Sequence, residues 1–400
     1  MAEWESRPIE ELVSQVSSGG TPRAQDPRYY TESGIPFLKI DDITKSRGRF
    51  VHKAEQSITR LALEESAAKV FPAGTVLVTM YGTMGVTKTL RSPMATNQAI
   101  AALVPPFRCD PDYLALALSF RRGGLERLAA QTTQPNISGT IIRRFQIPIP
   151  PLEEQRRIAE ILDTIDETIQ TTERVIAKQR VILAGLQESL LEVDDGATRT
   201  TVGDLVSGHW PGEWGEAIPS VGSREVIVLR ATNLDDYGVD YSTGARRFVS
   251  GLKVAEKRLM DGDLLVEAAG GGPGVPVGRV RRFRQPADDM PYLTSNFFRA
   301  LRPKAGVSPD YLFWMLDLEY RKPSIWSCQQ QTTGIINLQV RDYLRRPVIY
   351  HHRSQGSIAR TLNAALRAVE VERQQLQKLR ETRSGLAADL LSGRVRTVAA

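Results

Sequence analysis

The chain has 400 residues, 41% of them hydrophobic and 24% charged, with a net charge of +6. That length predicts two to four domains, and that composition excludes a disordered or collagen-like chain. The 52 basic residues are skewed, 41 Arg to 11 Lys; arginine suits phosphate and base edges, although a GC-rich genome also favours it.

The N-terminal MAEWESRPIEELVSQV places acids where a signal peptide needs a basic and then an apolar segment, and no run of about 18 apolar residues follows. Neither export nor membrane insertion is expected. Cys109 and Cys328 are the two cysteines, far apart and outside any CxxC, so no disulfide framework or zinc site is predicted and a cytoplasmic location fits.

In the first half, IPFLKIDDI at 35–43 and GTVLVTMYG at 74–82 read as strands, with Pro72-Ala73-Gly74 as a turn. YLALALSF reads as a short helix after Pro111. Prolines 148, 150 and 151 then stop any earlier helix. Beyond them Ile158, Leu162, Ile165, Ile169, Thr172, Ile176, Gln179, Leu183, Leu186 and Leu190 step by four and three. That is the heptad rhythm of a coiled coil, some 38 residues and on the order of 55 Å long.

The second half repeats this plan. DPDYLALAL at 110–118 returns as SPDYLFWML at 308–316, and ATNQAIAALVP at 95–105 faces LTSNFFRALRP at 293–303, both at an offset of 198. Gln131-Thr132-Thr133 returns as Gln331-Thr332-Thr333, and EEQRRIAEILDTI as RSQGSIARTLNAA at 353–365, both at 200. VIVLRATNL and GDLLVEAAG are the second pair of strands. Ile358, Leu362, Ala365, Val369, Glu372, Leu376, Leu379, Arg383, Leu386 and Leu390 keep the heptad register, and Gly196 and Gly393 end the two helices.

The expected fold is α+β: two tandem mixed α/β domains, each followed by a long helix. The predicted divisions are a first domain at 1–150, a helix at 151–192, a linker at 193–200, a second domain at 201–350, a helix at 351–393 and a tail at 394–400. Residues 1–150 carry 18 basic and 14 acidic side chains, 151–200 carry 6 and 11, 201–350 carry 19 and 17, and 351–400 carry 9 and 4. Helices of opposite sign on a shared register favour pairing with each other. An antiparallel coiled coil with a pseudo-twofold axis would follow; the alternative is that each helix belongs to its own domain's core. Two similar, non-identical domains at a fixed separation suit double-stranded DNA, with dissimilar half-sites about one helical turn, roughly 34 Å, apart.

Catalytic signatures are missing. There is no GxxxxGK[ST], and glycines 270–272, 274 and 278 do not make GxGxxG. Val104-Pro105-Pro106-Phe107 has valine where an amino-methyltransferase needs an Asp or Asn to accept from the target amine. Pro-Asp at 111–112 and 309–310 lacks the acid-x-lysine of a nuclease and reads as a helix start. His52, His209, His351 and His352 offer no HExxH, and the adjacent pair reads as solvated.

These segments resemble the specificity subunits of type I restriction-modification enzymes. The strongest likeness is IPIPPLEEQRRIAEILDTID at 147–166, with GGTPRAQDPRYY at 19–30, GIPFLKIDDIT at 34–44, PAGTVLVTMYGTMG at 72–85 and ATNQAI at 95–100 also matching. In the second half Pro347-Val348-Ile349-Tyr350 and Arg353-Ser354-Gln355 keep the pattern only in part, so that domain is placed by the repeat.

The resemblance implies two target-recognition domains that read a bipartite asymmetric DNA sequence, with the helices setting the unread gap. It implies no catalysis by this chain, two methyltransferase subunits as partners, and restriction subunits joining them. S-adenosylmethionine, ATP and Mg would sit on those partners, with no cofactor or metal on this chain. The DNA-binding candidates are Arg23, Arg28, Lys45, Arg47, Arg49, Lys88 and Arg91, then Arg230, Arg246, Arg247, Arg279, Arg281, Arg282 and Arg284; each could equally be a solvated surface cation. For partner binding the candidates are Leu152, Gln155, Arg156, Ile158, Gln355, Ile358 and Ala359, against the alternative of packing between helix and domain. An enzyme with an unrecognised site and a scaffold for proteins are the competing functions.

Overall fold

The computed structural model describes residues 4–46, 48–105, 107–130, 136–192, 196–271, 274–332 and 334–397. Both Gln-Thr-Thr copies reach outside them, at 131–133 and at 333. Two compact units emerge, residues 1–175 with 373–400 and residues 176–372. They cut across the sequential domains because each contains a piece of both long helices.

In the first unit one sheet orders Tyr30–Thr31, Gln56–Ile58, Ile35–Leu38, Met94–Thr96 and Lys69–Phe71. A second orders Gln15–Ser18, Ile100–Val104, Val76–Thr79, Thr87–Leu90 and Phe50–Val51. In the second unit the matching sheets order Ala245–Ser250, Ser223–Leu229 and Tyr292–Thr294, and Val206–Pro211, Phe298–Pro303, Leu264–Glu267 and Val280–Arg282.

The registers repeat as the sequences do. Thr96 pairs with Leu38 and Thr294 with Leu229, both in parallel, while Ala102 faces Leu77 and Ala300 faces Leu265 in antiparallel ladders. A ribbon of two strands closes each domain: Glu5–Pro8 on Gln146–Ile149, and Thr198–Thr201 on Pro347–Tyr350. The end of the expected linker is therefore a strand.

Two expected strands are shorter than their apolar runs. After Leu38 the chain turns into a helix at Ile40–Lys45, because the Asp42 carboxylate accepts the Lys39 amide at 2.8 Å. After Leu229 it turns at Ala231–Asn233, where Asn233 accepts the Arg230 amide at 2.8 Å. A polar side chain that bonds its own backbone offers an alternative to the ladder.

Helix α1 (Pro111–Phe120) starts where Asp110 accepts from the Asp112 and Tyr113 amides, with Pro111 in the first turn. Helix α2 spans Leu152–Glu192. Helix α3 (Pro309–Arg321) starts with Ser308 accepting from Tyr311, and helix α4 spans Gln355–Leu391.

Gln155 on α2 accepts the Asp110 amide at 2.7 Å and donates to the Pro150 carbonyl. Gln355 on α4 accepts the Ser308 amide at 2.7 Å and donates to Gly306. Tyr113 donates to the Pro148 carbonyl and Tyr311 to that of Ile349. The sequence repeat is thus a repeat of interactions that fasten each short helix to the start of each long one.

Within each unit α2 and α4 run antiparallel. In the first, Ile158, Ala159 and Leu162 share a core with Ala387, Leu390 and Leu391. In the second, Ile358, Ala359 and Leu362 share one with Leu183 and Leu191. The opposite charges meet in the first unit, where Arg383 forms two 3.0 Å bonds to Asp166 and Arg380 lies 2.7 Å from Glu173. Residues 394–397 are not a free tail, because Arg396 holds both oxygens of the buried Glu154 at 2.7 Å and lies over the Trp4 ring.

Burial works to raise the Glu154 carboxyl, but Arg396 and the Thr397 amide outweigh it and hold it below the ordinary carboxylate range. A carboxyl so depressed stabilises the fold above its unfolded value, about 4.3, and that contribution is lost as pH falls through the folded value. Arg396→Ala is expected to lower Tm at neutral pH, and the difference from wild type should shrink as pH falls through the depressed folded value of Glu154. Gln155→Ala leaves the Asp110 amide and Pro150 carbonyl without their partner and should cost about 1–3 kcal/mol in urea unfolding.

Candidate nucleic-acid interface

Among the first-unit cations, Arg23, Arg28, Lys45 and Arg91 are exposed. Arg28 pairs with Asp26 at 2.7 Å, Lys45 with Asp41 at 3.1 Å, and Arg91 lies 3.4 Å over the Phe50 ring. Each neighbour fixes a side chain's direction while leaving it accessible.

Lys88 and Arg49 are corrections. Lys88 is buried and donates to the Ser46 and Gly48 carbonyls, and burial pushes its ammonium below the ordinary lysine range. Arg49 is bound by Asp163 and faces Asp112 at 3.5 Å, with its side chain only 10% exposed. Lys88 ties down Ser46 and Gly48, Arg49 is held by its own acidic partners, and little of either side chain is left to offer a phosphate. Arg47 lies outside the described residues.

The second unit divides similarly. Arg246 is exposed beside Glu225 at 2.9 Å, Arg284 is exposed between Asp261 and Asp310, and Arg247 lies 4.3 Å over Trp214. Arg230 donates to the Thr243 carbonyl and Arg279 to Glu267 and the Ala231 carbonyl.

Arg281 and Arg282 are the further corrections. Arg281 is 4% exposed and donates to the carbonyls of Asp235, Asp236 and Val280, with Asp317 at 3.7 Å. Burial lowers its guanidinium from the ordinary value. Arg282 is paired with Asp310 and mostly covered. They sit on the strand Val280–Arg282, whose register with Leu264–Glu267 carries them against the body of the unit.

The helix starts are corrected as well. Gln155, Ile158, Ile358 and Ala359 are buried within their own units, and Gln355 is spent on Ser308 and Gly306. They repeat faithfully because they fasten each helix to its domain. Leu152 and Arg156 are exposed. His351, expected in solvent, is buried against the Tyr311 hydroxyl at 2.9 Å, whereas His352 is exposed.

A cleft of about 640 Å³ opens in the second unit between Trp214, Arg230, Thr232, Glu267, Asn296 and Phe297. The turn 295–297, which joins Tyr292–Thr294 to Phe298–Pro303, lines it. The Ser295 amide donates to Leu229 at 2.9 Å, and the Phe297 carbonyl accepts from Ala268 at 2.7 Å. The first unit builds the same turn at 97–99. There the Asn97 amide donates to Leu38 at 3.1 Å, and the Ala99 carbonyl accepts from Met80 at 2.9 Å.

The approach to each turn repeats too. A Cβ at Gly19 would overlap the Thr96 carbonyl, and one at Gly212 the carbonyls of Thr294 and Ser295. A search for arginines does not find these residues, which carry no formal charge. The signal was present in the alignment of ATNQAI with LTSNFF, which sets Gln98 opposite Asn296.

Residues 1–178 match the family model of the type I restriction modification DNA specificity domain. The MjaIX specificity subunit of a type I restriction enzyme from Methanocaldococcus jannaschii is 25% identical over 174 residues, 43% of this chain and 40% of that protein. The MjaVIII specificity subunit from the same organism is 21% identical over 320 residues, 72% of this chain and 71% of that protein. The match to the first of these relatives thus spans about two fifths of its length. The crystal structure of a type I restriction-modification S subunit from M. genitalium superposes with a TM-score of 0.59 at 17% identity, covering 97% of this chain and 96% of that one, a likeness of fold. Among the described residues no helix is long and apolar enough to cross a membrane.

Because Ile158 lies in the core of the first unit at 0% exposure, Ile158→Ala should cost about 2–5 kcal/mol in urea unfolding. A surface residue kept for partner contact would leave the midpoint unchanged.

Proposed function

We propose that this chain, which resembles the specificity subunits of type I restriction enzymes in its first 178 residues and in its two-domain fold, is the DNA-reading subunit of such an enzyme. It reads two dissimilar blocks of duplex, one with each domain, and the paired helices keep the blocks at a fixed spacing. The observation that carries this reading is the same braced turn built twice with different side chains around it. One framework with two linings suits a bipartite, asymmetric target better than a palindrome.

Catalysis belongs to other subunits in this reading. Two methyltransferase subunits would bring S-adenosylmethionine, and restriction subunits would bring ATP and Mg. The exposed Leu152 and Arg156 at the start of α2 are offered to such a partner. The chain would work in the cytoplasm, where the DNA is.

For positioning on the phosphates the exposed cations are Arg23, Arg28, Lys45, Arg91, Arg246 and Arg284. Arg91→Ala or Arg246→Ala should weaken binding to all duplexes alike and flatten the plot of log affinity against log salt by about one unit for each phosphate left without its cation. Fluorescence anisotropy on a labelled duplex across a salt series measures this. Binding that does not respond to salt would favour a scaffold for proteins.

A further inference from the structure

The two turns at 97–99 and 295–297 are held at both ends by equivalent backbone hydrogen bonds, to Leu38 and Met80 in one unit and to Leu229 and Ala268 in the other. Asn97 and Ser295 are drawn down onto the sheet, and each turn presents its middle residue, Gln98 or Asn296, to solvent. Both middle residues are carboxamides. The Thr21 hydroxyl donates to the Gln98 side-chain oxygen at 2.6 Å, so that amide is oriented before any ligand arrives.

A cation stands at matched register beside each turn. Lys39 follows Leu38, the partner of Thr96, and Arg230 follows Leu229, the partner of Thr294. Each unit also exposes an aromatic ring near its turn, from non-equivalent positions: Tyr81, next to the Met80 that braces the first turn, at 46%, and Phe297, within the second turn, at 50%. In the second unit these groups border the open cleft of about 640 Å³, together with the buried Ser295, whose hydroxyl has no hydrogen-bond partner among the described residues.

We propose that Gln98 and Asn296 are paired specificity-determining residues, each reading the major-groove edge of one adenine in its own block of the DNA. This rests on the DNA-reading function above. A carboxamide places a donor and an acceptor side by side, the complement of adenine N7 and N6, and it discriminates best when its backbone does not move. The braced turn supplies that rigidity. Lys39 and Arg230 are placed for a neighbouring phosphate or guanine, and the exposed rings for a thymine methyl.

The test selects binders from randomised duplexes with the full chain assembled with methyltransferase subunits, as wild type and as Gln98→Ala, Asn296→Ala and Asn296→Asp. Each alanine variant should lose about 5- to 150-fold discrimination at one A·T pair, each in a different block, with the other block unchanged. Asn296→Asp should shift that position from adenine toward cytosine, whose N4 amine needs only an acceptor, a change that mere loss of folding cannot produce. If the variants enrich the same blocks as wild type, or one substitution erases both blocks together, the inference is overturned while the subunit's function stands. If wild type itself enriches no sequence, both fall.

Discussion

Everything in this chain depends on the antiparallel packing of α2 against α4. Neither helix belongs to one compact unit: the first unit takes residues up to 175 and then 373–400, and the second takes what lies between. The core around Ile158 and Leu162 is completed by Ala387, Leu390 and Leu391 from the far end of the sequence. Burial of that apolar seam supplies most of the attraction. The opposite charges, meeting at Asp166 with Arg383 and at Glu173 with Arg380, select this pairing over that of a helix with its own copy. Glu154 makes the dependence sharper, since a buried carboxylate is tolerable only while Arg396 stays beside it.

On that frame the chain builds the same domain twice and varies it selectively. The ladders through Thr96 and Thr294, the close approaches of Gly19 and Gly212, and the glutamines that fasten α1 and α3 are shared. The linings differ: Thr21 faces Gln98 where Trp214 and Phe297 border Asn296. Backbone bonds carry the architecture, so side chains at the turns are free to diverge. Under the proposed function, that separation of tasks lets one framework read two unlike sequences.

Much of this was legible in the sequence, for physical reasons. Heptad spacing reported the seam directly: Ile158, Leu162, Leu183, Ile358, Leu362 and Leu390 are all buried. Segment charges foretold the sign of the helix contacts, and proline after Asp110 and Ser308 marked two helix starts. The site was less legible, because arginine looks the same in sequence whether it meets solvent or carbonyls. Arg281 and Lys88 are buried by strand register, which depends on partners far along the chain. Gln155 and Ile158 looked like an interface because they repeat, yet repetition preserves fastening as faithfully as function. Asp42 and Asn233 ended strands early through local bonds that an apolar pattern does not encode.

The dependence on α4 can be measured by hydrogen exchange on a chain truncated after Glu372, which removes the segment that completes the first unit and nothing from the second. Amides in α1 and in residues 155–165 should lose protection, while those of Ser223–Leu229 and α3 keep theirs. Unchanged protection of α1 in the truncated chain would mean that the first unit folds without the C-terminal part of α4.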